Sequence, residues 1–415
     1  MTQEETVATT PPTSEAAQPN AGKTASAWTV LALVTGVAGL VLGVGAAALV
    51  SLILILSPEG PGPGVVTVVT ILGLALLGAP LAWHAWSRLR GNPPLAWQAR
   101  PSWIVAGGVL IAASLLCGQA SLSLNLLPTL IPGLAQYLAV LSPAAILLAL
   151  TAGSWAGFSA LRAWGHLISG AWLAVVLSFV AEVIVIGVLA VLGFTVLAVA
   201  APAEFEALLQ RLQTFQVTEN FDLLSDWLFT PWMIAGVLVT ASIALPAIEE
   251  ALKPLGVILM LGRRPTPMAA FLGGMMGGLG FAVVESLTNL SATQDGWLGL
   301  VVARIGTMVM HGLTAGLVGW GWGQVAVHRA RGALRLVAAY LTAVTIHGLW
   351  NAAAVIIAFG SLSVLGQSTT IPQQAIWGVL MALGLIVLVG LTLAAVAGLM
   401  VIGSRLRQVE PATEP

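Results

Sequence analysis

Charge is scarce in this chain: Asp, Glu, Lys and Arg make up only 7% of its 415 residues, against 58% hydrophobic residues. That balance, with a mean hydropathy of +0.98, excludes a soluble globular domain. The net charge of −1 leaves no electrostatic footprint for nucleic acid or an acidic partner. The single cysteine, Cys117, excludes an intrachain disulfide framework and any cysteine-based zinc site. It lies in an apolar run and reads as a small core or lipid-facing residue. The short alternating segments of a closed β-barrel are missing. The N-terminus lacks the basic and short apolar regions of a signal peptide, so the first apolar run reads as a signal-anchor helix. There is no Gly-x-Ser-x-Gly, no His-Glu-x-x-His, no paired membrane Asp motif and no Ser–His pair with nucleophile spacing.

What the chain has is apolar runs of the length that crosses a bilayer. Hydropathy predicts an all-α polytopic transmembrane bundle of about ten spans. They cover Trp28–Leu56, Val65–Ala85, Trp103–Ser123, Tyr137–Leu161, Ser169–Ala200, Pro231–Leu261, Pro267–Leu290, Leu298–Val327, Leu336–Ala358 and Ala375–Ile402. With the N-terminus in the cytoplasm, 12 of the 15 Lys and Arg fall in cytoplasmic segments, and Arg211 alone falls in an outer loop. Both termini are therefore expected to be cytoplasmic, in a multi-pass plasma-membrane protein. Residues 1–27, rich in Thr, Pro, Glu, Gln and Ala, read as a disordered tail. Residues 28–200 form five accessory spans, 201–230 an extracytoplasmic amphipathic connection and 231–358 a four-span core. Residues 359–402 give a loop and the last span, and 403–415 a cytoplasmic tail. In the connection, Phe205, Leu208, Leu209 and Leu212 recur at helical intervals, and a second stretch holds Phe221, Leu223, Leu224 and Trp227. The connection reads as a surface cap, or more sharply as a lid or docking surface.

Charges inside spans are costly and face the interior of a bundle. Glu249, Glu250 and Lys253 lie in Leu245-Pro-Ala-Ile-Glu-Glu-Ala-Leu-Lys-Pro254 of the sixth span, and Glu285, His311 and His347 lie in the next three. Glu249 and Glu250 stand four and three residues before Lys253, so Lys253 can compensate one carboxylate while the other keeps a freer oxygen. Two adjacent carboxylates in low dielectric resist ionising together, which suits general acid or base work. Pro246 and Pro254 flank the cluster and can kink the helix. A structural ion pair is the plainer alternative. Gly273/Gly277 and Gly274/Gly278 are spaced for close helix contact. Arg304 and His311 share a face of the eighth span, with Arg304 nearer the outer surface, and His347 and Asn351 share a face of the ninth. A rise of 1.5 Å per residue places Glu249, Glu285, His311 and His347 roughly 16–28 Å from the inner face, close enough to meet. Glu182 in the fifth span reads as structural or protonated, or as a contact to this site. His84 and His166 read as interfacial. A carboxylate to activate water, a second carboxylate or Lys to tune it, and His or Asn donors for an oxyanion fit amide hydrolysis. The same residue types can hold a metal: Glu285, His311 and His347 are ordinary ligands for Zn2+. A proton-coupled transporter built on buried Glu and His is the alternative function, and a non-catalytic membrane scaffold the third.

These residues resemble a known family. Glu249-Glu250-Ala-Leu-Lys253, Phe281 and Glu285 of Gly280-Phe-Ala-Val-Val-Glu285, His311, and His347-Gly-Leu-Trp-Asn351 look like the motifs of the PrsW intramembrane proteases, over about Pro231–Ala358. That family is related in motif to the CAAX prenyl endopeptidases and bacteriocin-processing membrane proteases. The resemblance implies a membrane-embedded endopeptidase that cuts a membrane-anchored protein, an anti-sigma factor in the family's best-known role. It implies Glu249 and Glu250 as catalytic base and partner. Glu285, His311 and His347 would complete the site, with Asn351 as an oxyanion donor. Metal-dependent and metal-free glutamate chemistry are both compatible with it.

Overall fold

The computed structural model describes residues 27–56, 64–97, 99–127, 129–153, 157–218, 227–290, 296–365 and 370–409. The N-terminal tail through residue 26, residues 221–226 of the outer connection and the last residues from 410 lie outside them. Among the described residues, ten helices are long and apolar enough to cross a membrane. They are α1 (Ala27–Leu56), α2 (Gly64–Leu89), α3 (Ser102–Ser123), α4 (Leu130–Ala152) and α5 (Ala160–Ala200), then, after the connecting helix α6 (Pro202–Thr218), α7 (Pro231–Leu259), α8 (Pro267–Leu290), α9 (Trp297–His328), α10 (Ala330–Leu365) and α11 (Ile371–Val409). The chain is an integral multi-pass membrane protein.

Several boundaries differ from those expected, α4 beginning at Leu130 and α10 and α11 each running longer at both ends, and the two largest shifts have a local reason. Gly153 adopts the left-handed conformation (φ +53°) and ends α4 there rather than near Leu161. The Ser159 hydroxyl then caps α5 by accepting from the Arg162 amide, so this span begins at Ala160 rather than Ser169. On α6, Leu208 is buried and Phe205 meets Phe194 edge-on, whereas Leu209 faces outward. Cys117 is exposed on α3.

α8 is the centre of the bundle: 83% of its most apolar stretch is buried, against 11% for α11. It packs against α9, α7, α5 and α4, while α10 and α11 flank α9. Its small residues allow this. A Cβ on Gly277 would strike the Lys253 carbonyl of α7, and one on Gly278 would strike the His311 carbonyl of α9. These neighbouring glycines point to different helices and thereby set how far apart α7 and α9 stand. Helices α1, α5 and α11 leave long runs of Leu, Val and Ile uncovered, as lipid-facing surfaces do.

Gly278→Val should therefore lower stability by about 1–3 kcal/mol, the usual cost of overpacking. The control is Gly236→Val, at a position with open space around a Cβ. Thermal unfolding in detergent compares them, and equal melting temperatures would contradict the shim role of Gly278.

Candidate active site

The site begins with a defect in α7. Pro246 has no N–H to offer the Ser242 carbonyl, and the turn before it, Thr240–Ala244, widens to a π-helix. α10 closes over this turn. Asn351 donates to the Ala241 carbonyl at 2.9 Å and the Tyr340 hydroxyl to the Ala247 carbonyl at 2.7 Å. Gly348 lies so near the Ser242 carbonyl that a Cβ would collide with it. His347, between these ties, is thereby aimed at the next turn of α7, which carries Glu249 and Glu250. Pro254 then breaks the helix, leaving Lys253 as the C-cap of the segment Leu245–Leu252.

The Lys253 ammonium occupies the middle of the cluster and is fully buried. It lies 2.6 Å from Glu250 Oε1, 3.0 Å from Glu249 Oε2, 2.5 Å from His311 Nδ1 and 3.4 Å from His347 Nδ1. The ring of Phe281 covers it at 4.8 Å, a cation–π contact. The two imidazoles meet edge to face with centroids 4.9 Å apart. Lysine has only hydrogens to give, so His311 Nδ1 accepts from it and His311 Nε2 carries the proton. That Nε2–H donates to Glu285 Oε2 at 2.8 Å. Glu285 in turn accepts from Arg304 at 2.8 Å. On the other side, His347 Nδ1 lies 2.8 Å from Glu250 Oε1. Each histidine thus has its own carboxylate to orient it.

Glu249, Glu250, Lys253, His311 and His347 all converge. Glu285 joins through His311 rather than at the centre. Asn351 stands away from the cluster, one of its N–H groups committed to Ala241. The trio whose ligand atoms lie within 4.8 Å of one another is Glu249, His311 and His347, with Glu249 in the place expected for Glu285. Nitrogen and oxygen donors with a carboxylate behind each histidine suit a metal ion such as zinc. The Lys253 ammonium contacts all three residues, so an ion held by them would compete with it. Arg304 was expected nearer the outer surface. Its pairing with Glu285 makes it part of the site, and the signal for that was its position two turns before His311 on one face. Glu182 is half-buried on α5, near enough for its charge to act on Glu249 and Glu285, and its Oε1 has no hydrogen-bond partner. His84 is half-buried. His166, expected at the interface, is buried and stacked on Phe158, because α5 starts earlier than hydropathy suggested.

The family model for the PrsW family intramembrane metalloproteases matches residues 160–389. It takes in α5 and much of α11, beyond the four spans that carry the motifs. No curated protein and no solved structure matches the chain. The family match favours a peptidase over the transporter and scaffold alternatives.

Replacing Lys253 tests the electrostatics. Lys253→Met leaves two buried carboxylates without their cation and should cost about 3–5 kcal/mol of stability. It also opens the space among Glu249, His311 and His347, so added zinc should recover part of that loss in the variant and do less for the native chain. Thermal unfolding in detergent, with and without zinc, reads both effects. A fully stable variant, or an equal response to zinc, would contradict this arrangement.

Proposed function

The chain belongs to the PrsW family of intramembrane metalloproteases, whose model covers 230 of its 415 residues, and from that premise we propose that it hydrolyses a peptide bond of a membrane-anchored protein with Glu249 as general base. The observation that supports this most is the difference between the two glutamates. The Glu250 side chain is fully buried and held by Lys253 and His347, whereas the Glu249 side chain keeps 11% of its surface open. Glu249 is the carboxylate that a water and a substrate carbonyl can reach.

The chemistry then runs as follows. Glu249 takes a proton from water as the oxygen attacks the scissile carbonyl carbon. The carbonyl oxygen gains the negative charge, and the positive field of Lys253 stabilises it. When the C–N bond breaks, Glu249 returns the proton to the leaving nitrogen, which departs as a neutral amine. Glu250 fixes Lys253 and His347. Glu285, clamped by Arg304, fixes the tautomer and orientation of His311. A metal held by Glu249, His311 and His347 would take the place of Lys253 as the positive charge and supply Lewis-acid polarisation of the carbonyl, with Glu249 then a ligand rather than the base.

The open side of the site is the Glu285–Arg304 pair, whose side chains are 32% and 19% exposed. By the positive-inside rule this side faces the outer half of the bilayer. A plasma-membrane protein cutting an anti-sigma-like anchor on its outer side is the family-level expectation this geometry accommodates. In this reading the four spans α7–α10 form the protease core, and the five spans α1–α5 are accessory.

Glu249→Gln should slow cleavage about 10²–10⁴-fold, the usual contribution of a general base, with a smaller fall in melting temperature than Glu250→Gln, because Glu250 still holds Lys253. Glu250→Gln should lower both activity and stability. The measurement is cleavage of a membrane-anchored reporter in proteoliposomes, with product masses to locate the cut. Undiminished cleavage by both variants would sink the proposal.

A further inference from the structure

A second feature lies away from the catalytic cluster, at the arginine-rich end of the bundle. There α1, α2, α5 and α7 enclose a cavity of about 390 Å³. Arg88, Arg162 and Arg263 line it, and all three are exposed. No Asp or Glu lines it, and among the described residues none of the three arginines pairs with a carboxylate. Arg162 and Arg263 are close enough for their like charges to act on each other. Arg88 donates to the Asn92 carbonyl, a neutral partner. Deeper in, His166 Nδ1 and Ser169 Oγ are buried without a hydrogen-bond partner. Apart from Thr29, Thr35 and Ser159, the remaining walls are apolar and include Trp28 and Trp172.

We propose that this cavity is a binding site for an anionic glycerophospholipid of the leaflet at the arginine-rich end. Three unneutralised guanidinium groups call for an anion, and arginine pairs well with phosphate oxygens. A free phosphate would leave the apolar walls facing water. An amphiphile fills both parts, with its phosphate among the arginines and the start of its acyl chains against the tryptophans and aliphatic side chains. His166 and Ser169 then supply hydrogen-bonding groups for the ester and glycerol oxygens. Depth agrees as well: Arg88, Arg162, Arg263 and Trp28 lie at or just beyond span ends, at headgroup level, whereas Trp172 lies deeper, where acyl chains begin, and basic pockets between spans on the cytoplasmic side suit such lipids.

The test uses the full chain in mixed micelles holding equal amounts of phosphatidylglycerol and phosphatidylcholine, with retained lipids counted by native mass spectrometry. The native chain should keep one phosphatidylglycerol with a preference of roughly 10- to 30-fold. The double variant Arg162→Gln/Arg263→Gln should lose that preference, and Arg162→Lys/Arg263→Lys should keep part of it. Equal retention of both lipids by the native chain overturns the proposal, whether or not the variants fold. A preference that survives the glutamine substitutions overturns it too. Inorganic phosphate and hexaglutamate are the competitors. Failure of both to displace the lipid supports the site. Displacement by inorganic phosphate would show a simple phosphate site, and displacement by hexaglutamate a site for an acidic peptide; either result overturns the lipid assignment.

Discussion

A single buried ammonium group organises this protein. Lys253 is fully buried, and two carboxylates, two imidazoles and an aromatic ring surround its ammonium group. Those groups come from four helices, and all four must approach closely for the distances to hold. The requirement explains features that otherwise look unrelated. Gly277 and Gly278 let α8 lie against the backbone of Lys253 on one side and of His311 on the other. Pro246 and the widened turn before it expose carbonyls of α7 for α10 to bind. Pro254 stops the helix directly after the lysine. A bundle of uniformly straight, large-residue helices would leave these charges unpaired in hydrocarbon.

Much of this was readable from the chain alone. The ten spans follow from hydropathy, and the motif residues stand out because charge is otherwise so rare. Helical spacing put Glu249 and Glu250 beside Lys253, as observed. Other points have no one-dimensional signature. Which nitrogen of His311 faces Lys253 and which faces Glu285 depends on how α8 and α9 are rotated. That rotation is why Glu249, rather than Glu285, joins the two histidines as a metal-capable trio. Asn351 looked free to donate to a substrate. The proline that widens α7 also supplies a carbonyl that claims one of its N–H groups. The burial of His166 was hidden by a boundary error: hydropathy runs through Gly153, whose backbone conformation ends α4 early and moves the start of α5 toward the N-terminus.

The cluster holds two solutions to one electrostatic problem. Attack on a peptide carbonyl needs positive charge near the developing oxyanion, and low dielectric makes that charge effective. In the proposed reaction Lys253 would supply it from the chain itself. The same three ligand atoms, each histidine with a carboxylate behind it, are arranged as a metal would require. Both cations would draw on the same three residues, so they compete. The balance turns on Glu250, which holds Lys253 and orients His347 through the same oxygen. Strengthening its bond to the lysine weakens the second arrangement.

The break at Pro254 carries this argument to the other end of α7. The short segment after it, Leu255–Leu259, is not continuous with the helix that bears Glu249 and Glu250. Gly256 lies on this segment, lines the arginine-rich cavity and abuts His166. An amphiphile filling the cavity would press on the piece of α7 that follows Lys253 by only a few residues. The Lys253 carbonyl is itself wedged against Gly277, so the lysine's backbone has little room to move independently of α8. Gly256 in the cavity wall and Lys253 in the cluster thus lie on either side of one proline-broken turn.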